Sequence, residues 1–221
     1  MNVRWMSSLG QPSDPSVDHE LASGCERGTA RVWPSSACVR IMRAVPWYEY
    51  QGLTPQVAAD AWIAPTANLI GDVVIDSGAS VWYNVTVRGD MSHIRIGSDA
   101  SVGDNAVIHT EAGGPTVIGS RVVIEAGALV HSSVVADGVR IGYRAVLTGG
   151  NRIGEGAVVQ PGAVLPEGMT VEGRKVVGGV PARVIGDTDA EDDARTQRLA
   201  TEVRSLAREH ARSIGGSSNG S

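Results

Sequence analysis

The sequence predicts an all-β fold in which short strands wind into a stack of turns, followed by one C-terminal α-helix. Two observations predict it: aliphatic residues recur at a step of six from Ile63 onward, and the chain has 28 glycines but no phenylalanine. A period of six fits neither a helix, with 3.6 residues per turn, nor one long strand, with a period of two. Short strands separated by turns that contain glycine and aspartate fit better.

The six-residue repeat runs through four blocks, and the step is constant within each block. A small or β-branched residue, such as Val134, usually stands four positions after the aliphatic one and is also expected to point inward. Asn151 and Met169 are the two exceptions. Aliphatic and small side chains must therefore pack the core. The aliphatic positions of the four blocks are Ile63, Leu69, Ile75, Val81 and Val87; Ile96, Val102 and Ile108; Ile118, Ile124 and Val130; and Val135, Ile141, Leu147, Ile153, Val159, Leu165 and Val171.

Composition divides the chain into four parts. Residues 1–41 are rich in Ser, Pro, Gly and Arg without a period, and we predict an irregular, disordered leader. Residues 42–186 form the predicted coil domain. Apolar spacing from Leu199 onward predicts a helix over residues 187–213, and residues 214–221 are predicted to be a flexible tail.

Charge and hydropathy exclude several classes of function. The net charge of −5 and the pI of about 5.5 argue against nucleic acid or an anionic membrane surface as the main partner. No apolar run approaches the roughly 20 residues that span a bilayer. Cys25 and Cys38 match no metal or redox spacing. We predict a cytoplasmic protein that binds neither nucleic acid nor membrane.

The hexad pattern resembles that of the hexapeptide-repeat left-handed β-helix proteins. The resemblance implies a left-handed parallel β-helix in which three hexads complete one triangular coil of 18 residues. Side chains one coil apart then lie about 4.8 Å from each other. His109 and His131 are 22 positions apart, which is one coil plus a four-residue insertion in the EAGGPT loop. Their side chains are therefore expected to be neighbours on one outer face.

Two neighbouring imidazoles indicate a metal site without completing one. Neutral imidazole binds zinc and other divalent first-row metals, and a catalytic zinc usually has three protein ligands and an open position. The alternative is that the stacked histidines only pair with carboxylates at a subunit contact. Spacing alone leaves both interpretations open.

The stretch VTVRGDMSHIRIGSDASVGDNAVIH resembles the signature of the γ-class carbonic anhydrases, and so do the phrases IAPTANLIGDV and VGGVPARVI. The resemblance implies a homotrimer with zinc or another divalent metal between subunits, with His109 and His131 as two ligands. It also implies an ion pair of Arg88 and Asp90 near the trimer contact. The implied activity is the reversible hydration of CO2 to bicarbonate by metal-bound hydroxide.

The sequence departs from this family pattern at the third ligand. The position that the family fills with histidine is Ala126, and Glu125 and His93 are candidate substitute ligands. Tyr143 is expected to stack over Ala126 and to fill the volume that the histidine would occupy. Together with Glu111, a candidate proton-transfer group, Tyr143 is a candidate catalytic residue.

Three functions remain open at this stage. The first is a carbonic-anhydrase-like enzyme, a zinc-dependent lyase or an enzyme that uses related chemistry on another small substrate. The second is a non-catalytic trimeric scaffold or binding protein that has lost the metal. The third is a hexapeptide-repeat acyltransferase or thioesterase. Fold alone does not choose among them.

Overall fold

The computed structural model describes residues 47–215 as a left-handed parallel β-helix with one C-terminal α-helix, which confirms the predicted fold class. The leader predicted at residues 1–41 lies outside the described residues. Of the tail predicted at residues 214–221, residues 216–221 lie outside them too, whereas the C-terminal helix extends to Gly215. Three faces of short strands surround one core.

The first two faces join into a 12-stranded sheet because two long strands, β4 (Asn68–Ile75) and β6 (Thr86–Ile96), continue around the corner between them. Besides the first halves of these strands, face one holds β1 (Trp47–Tyr48), β8 (Val107–His109), β11 (Leu129–His131), β14 (Val146–Leu147) and β17 (Val164–Leu165). Besides their second halves, face two holds β2 (Gln56–Val57), β9 (Thr116–Ile118), β12 (Val134–Val135), β15 (Arg152–Ile153) and β18 (Thr170–Val171).

Face three is a separate 8-stranded sheet. Its last strand runs antiparallel to its neighbour and closes the C-terminal end of the stack. The strands of this face are β3 (Trp62–Ile63), β5 (Ser80–Val81), β7 (Ser101–Val102), β10 (Val123–Ile124), β13 (Arg140–Ile141), β16 (Val158–Val159), β19 (Lys175–Gly179) and β20 (Ala182–Asp187).

The core consists of the aliphatic positions predicted from the repeat, and every one of them is buried. The prediction of an inward side chain is wrong at one position. Val134 is only half-buried, and its neighbour Ser133 is the residue that points into the coil. The reason is that the chain drops one residue between Val130 and Val135, which shortens this corner and turns Ser133 inward.

The corners of the coil require a left-handed backbone conformation. Asp99 and Asn105 adopt it, with φ of 58° and 59°. Aspartate and asparagine tolerate this region better than most residues because their short polar side chains form local hydrogen bonds. The regular spacing of Gly, Asp and Asn in the hexads is thus a requirement of the corners.

The C-terminal helix α1 (Ala190–Gly215) packs against face three. Asp189 caps it, since the carboxylate accepts hydrogen bonds from the N–H groups of Glu191 and Asp192, each at 2.9 Å. The helix begins later than residue 187 because Ala182–Asp187 forms β20.

Within residues 47–215, no helix is both long and apolar enough to cross a membrane. The predicted cytoplasmic location stays a prediction.

Candidate metal site

The two histidines singled out by the repeat lie side by side on the outside of face one. They end strands β8 and β11, whose register pairs His131 with His109. Their ring centroids are 5.2 Å apart, with the ring planes inclined by 36°. Arg88 pairs with His109 one coil earlier. Each of these side chains follows a buried aliphatic residue and therefore points outward. The prediction that His109 and His131 are neighbours on one outer face is confirmed.

His109 is held by a carboxylate from the same face. Its Nε2 lies 3.3 Å from Oδ1 of Asp90, and a carboxylate only accepts hydrogen bonds, so Nε2 carries the proton and Nδ1 is free. The other oxygen of Asp90 accepts a hydrogen bond from Arg88 at 2.5 Å. The ion pair predicted for Arg88 and Asp90 is therefore formed within one chain, directly beside His109.

The surroundings keep Asp90 charged and His109 neutral. Burial alone would raise the pKa of Asp90, but the hydrogen bond and the charge of Arg88 outweigh it and lower that pKa. Burial lowers the pKa of His109, and the charge of Arg88 lowers it further, whereas Asp90 opposes both effects. The neutral imidazole is the form that binds a metal ion.

His131 is oriented by the main chain of the next coil. Its Nδ1 lies 3.2 Å from the carbonyl oxygen of Thr148, and since a carbonyl only accepts, Nδ1 carries the proton. The lone pair of Nε2 is then available to a ligand. A hydrogen bond from a metal-binding histidine to a backbone carbonyl is a common way to fix its tautomer.

Glu111 is brought to the same place. A Cβ built on Gly149 would lie 3.4 Å from Nδ1 of His131 and 3.8 Å from Oε1 of Glu111, so the two side chains converge around this glycine. The N–H of Glu111 donates to Oγ of Ser132 at 2.8 Å, which fixes the start of the loop. Glu111 is exposed to solvent beside the histidine pair.

The structure places the remaining candidates elsewhere. Ala126, Glu125 and Tyr143 lie at the end of face three, where the register stacks Tyr143 over Ala126 as predicted. Glu125 is buried and accepts the N–H of Tyr143 at 3.2 Å. The Tyr143 side chain is exposed. His93 pairs with Asp72, and its Nδ1 lies 2.9 Å from Oδ1 of that aspartate.

One chain therefore offers two candidate metal ligands at this place and not three. In the part of the chain that the structure describes, no group of three or more His, Cys, Asp or Glu side chains is arranged to hold a metal ion. The histidine pair fits two positions of a zinc site, and a third donor has to come from outside this set.

Two polar residues behind the site, Thr116 and Ser133, are not predicted by the repeat and are completely buried. Their hydroxyls bond to the main chain of the two histidines. The signal in the sequence is a polar residue two positions before the aliphatic residue that follows two of the three irregular steps, where the chain turns from face one to face two.

Comparisons with known proteins agree with this architecture. No family model matches the chain. The mitochondrial γ carbonic anhydrase 3 of Arabidopsis thaliana is 44% identical over 164 residues, which cover 72% of this chain and 64% of that protein. The chain spans less than two thirds of the length of the curated carbonic anhydrases that it matches.

Two solved structures share the fold over nearly their whole length. A hexapeptide transferase family protein from Anaplasma phagocytophilum is 30% identical with a TM-score of 0.72, covering 75% of this chain and 98% of that one. A putative acetyltransferase from Bacillus cereus is 28% identical with a TM-score of 0.72, covering 74% and 95%.

The fold and the repeat define a class of protein, the left-handed β-helix proteins built from hexapeptide repeats. Within this class, the chain belongs to the family that includes the γ-class carbonic anhydrases.

Proposed function

We propose that this protein is carbonic-anhydrase-like and acts on CO2 and bicarbonate, with His109 and His131 as two ligands of a divalent metal. The observation that carries the proposal is the alignment of the two imidazoles on one outer face, 5.2 Å apart, beside the ion pair of Arg88 and Asp90. The similarity to curated γ carbonic anhydrases supports it.

The chain's own residues have distinct roles in this proposal. Zinc, when bound, lowers the pKa of water and makes it a nucleophile at neutral pH. Asp90 orients His109, and the carbonyl of Thr148 orients His131. Glu111 is exposed beside the pair and is placed to pass a proton to solvent.

The third ligand decides how well a metal is held. In the homotrimer that the family resemblance implies, a neighbouring subunit would contribute it from the position of Ala126, and a methyl group cannot bind a cation. We therefore expect weak zinc binding in the wild type and tighter binding once a histidine is restored.

The test is the substitution Ala126→His, with Ala126→Leu as a control that adds volume without a donor atom. We expect Ala126→His to bind zinc more tightly than the wild type, by at least the roughly 10-fold that the loss of an outer partner costs, and to gain CO2 hydration activity, since a third ligand completes the set. Competitive zinc titration and stopped-flow CO2 hydration measure the two effects. Equal affinity and activity in wild type, Ala126→His and Ala126→Leu would contradict the proposal.

A second candidate function is acyl transfer. It is favoured by the solved structures, which include a putative acetyltransferase and a hexapeptide transferase family protein. Consumption of an acyl-CoA by the purified wild-type protein, with zinc and without it, tests this candidate. The third candidate, a scaffold without a metal, is supported by Ala126 and would be favoured if the wild type binds no zinc and consumes no acyl-CoA.

A further inference from the structure

Three polar side chains form a buried column inside an otherwise aliphatic core. Thr116, Ser133 and Asn151 occupy the same inward position in successive coils, at the corner between face one and face two. They are 0%, 0% and 1% exposed. Ile94 precedes the column and Met169 follows it, so the polar character is confined to these three coils. We call these three residues the polar column.

The two hydroxyls of the polar column bind the two histidines from behind. Oγ1 of Thr116 donates to the carbonyl oxygen of His109 at 2.7 Å. Oγ of Ser133 donates to the carbonyl oxygen of His131 at 2.6 Å. Each hydroxyl thereby fixes the peptide unit at which a site histidine leaves its strand.

Asn151 fixes the third turn of the same corner. Its Oδ1 accepts the N–H of Gly149 at 3.2 Å, and its Nδ2 donates to the carbonyl oxygen of Pro166 at 2.7 Å. This holds the turn whose Thr148 carbonyl oxygen accepts a hydrogen bond from Nδ1–H of His131. Asn151 therefore acts on His131 through the turn, without touching the imidazole.

Packing alone does not explain these residues. A buried polar group destabilises a core unless it is hydrogen-bonded, and alanine or valine fills most equivalent inward positions. The hydrogen bonds of Thr116 and Ser133 go to the main chain of the two histidines, and one from Asn151 goes to the turn beside His131. We infer that Thr116, Ser133 and Asn151 are positioning residues that set the two histidines and hold His131 in the tautomer with the proton on Nδ1.

The test reads the tautomer of His131 in the metal-free, full-length protein by long-range proton–nitrogen NMR. We expect the wild type to carry the proton on Nδ1, and Ser133→Ala and Asn151→Val to show a mixture of the two tautomers. Met169→Ala is the matched control, because it removes a side chain from the equivalent inward position one coil beyond the polar column, away from the turns that bear the histidines. In Met169→Ala, His131 should have the same tautomer as in the wild type.

A second readout is zinc affinity, which rests on the proposed function. Loss of an outer partner typically lowers metal affinity about 10- to 100-fold, and we expect this loss for Ser133→Ala and Asn151→Val but not for Met169→Ala. If the wild type binds no zinc, the proposed function fails, whereas the tautomer measurement still decides the inference. If one variant does not fold, the other tests the same point.

An unchanged tautomer in a folded Ser133→Ala or Asn151→Val protein would overturn the inference. So would a wild-type His131 with its proton on Nε2.

Discussion

Asp90 connects the charge of Arg88 to the ring of His109. Its two oxygens face different partners, one the guanidinium and the other Nε2 of the imidazole. A carboxylate that accepts a hydrogen bond from the protonated nitrogen of a histidine leaves the other nitrogen available to a metal ion and orients the ring. The Arg88 and Asp90 pair therefore belongs to the site and is more than a surface ion pair.

The lowered pKa of Asp90 predicts a defined pH dependence of stability. Because this pKa lies below its ordinary value of 3.8 in the folded protein, the charged carboxylate stabilises the fold above that pH, and the effect is lost as the pH falls through the lowered value. We expect Asp90→Asn to be less stable than the wild type at pH 7, with the difference narrowing below a pH of about 3.8. Urea unfolding at several pH values measures it.

Arg88→Gln provides the control for this prediction. Because Arg88 supplies both the hydrogen bond and the charge that lower the pKa, Asp90→Asn should have a smaller effect in that background. An equal effect in both backgrounds would assign the stability to another partner.

The sequence predicts the histidine pair but not its hydrogen bonds. The repeat gives the coil register, so the meeting of His109 and His131 follows from counting. The partners Asp90 and Thr148 do not follow, because they depend on the path of the chain around one corner. The inward position of Ser133 was missed for the same reason, since the repeat drops a residue there.

At the scale of elements, the helix α1 is attached to face three by a cluster of rings around one histidine. The centroid of the His210 ring lies 5.4 Å from that of Trp82, 5.5 Å from that of Trp62 and 5.6 Å from that of Tyr83. The hydroxyl of Tyr83 and Nδ1 of His210 are 2.8 Å apart and share a hydrogen bond. Near the other end of the helix, Asp192 pairs with the buried Arg140 at 3.1 Å.

This attachment predicts a graded response to substitution at His210. His210→Ala removes the ring contacts and the hydrogen bond and should cost about 1 to 3 kcal/mol of unfolding free energy, whereas His210→Phe keeps the ring contacts and should cost less. Urea unfolding followed by tryptophan fluorescence measures both. Equal losses for the two variants would show that the ring contacts contribute nothing.

Helix docking was only partly predictable. The apolar spacing from Leu199 predicts a helix that packs on the coil, but the helix contact depends on Trp62, Trp82 and Tyr83, which lie more than 100 positions away in the chain. The repeat assigned these aromatic residues no role.

At the scale of the whole molecule, each coil is stabilised mainly by the coils above and below it. Among the strands within residues 47–215, the interior strands of face three pair on both sides, while β3 pairs with β5 alone. Stability of stacked repeats is approximately a sum of terms from each repeat and each interface. The first coil is therefore expected to be the weaker end.

A pair of core substitutions tests this expectation. Ile141 lies in the middle of the stack and Ile63 at its N-terminal end, and both are buried. Ile141→Ala should cost about 2 to 5 kcal/mol of unfolding free energy, as is typical of a closely packed core, and Ile63→Ala should cost clearly less. Urea unfolding gives both values. A larger loss for Ile63→Ala would contradict the picture of a weaker first coil.

The excursion between His109 and Thr116 lengthens one coil without disturbing the next. The strands on both sides keep their pairing, and a side chain at Gly113 would meet no heavy atom within 4 Å. The length of the loop at this corner can therefore change without altering the register of the strands on face one and face two. An insertion or deletion at Gly113 should thus change the shape of the loop beside the site and leave the pairing of His109 with His131 intact.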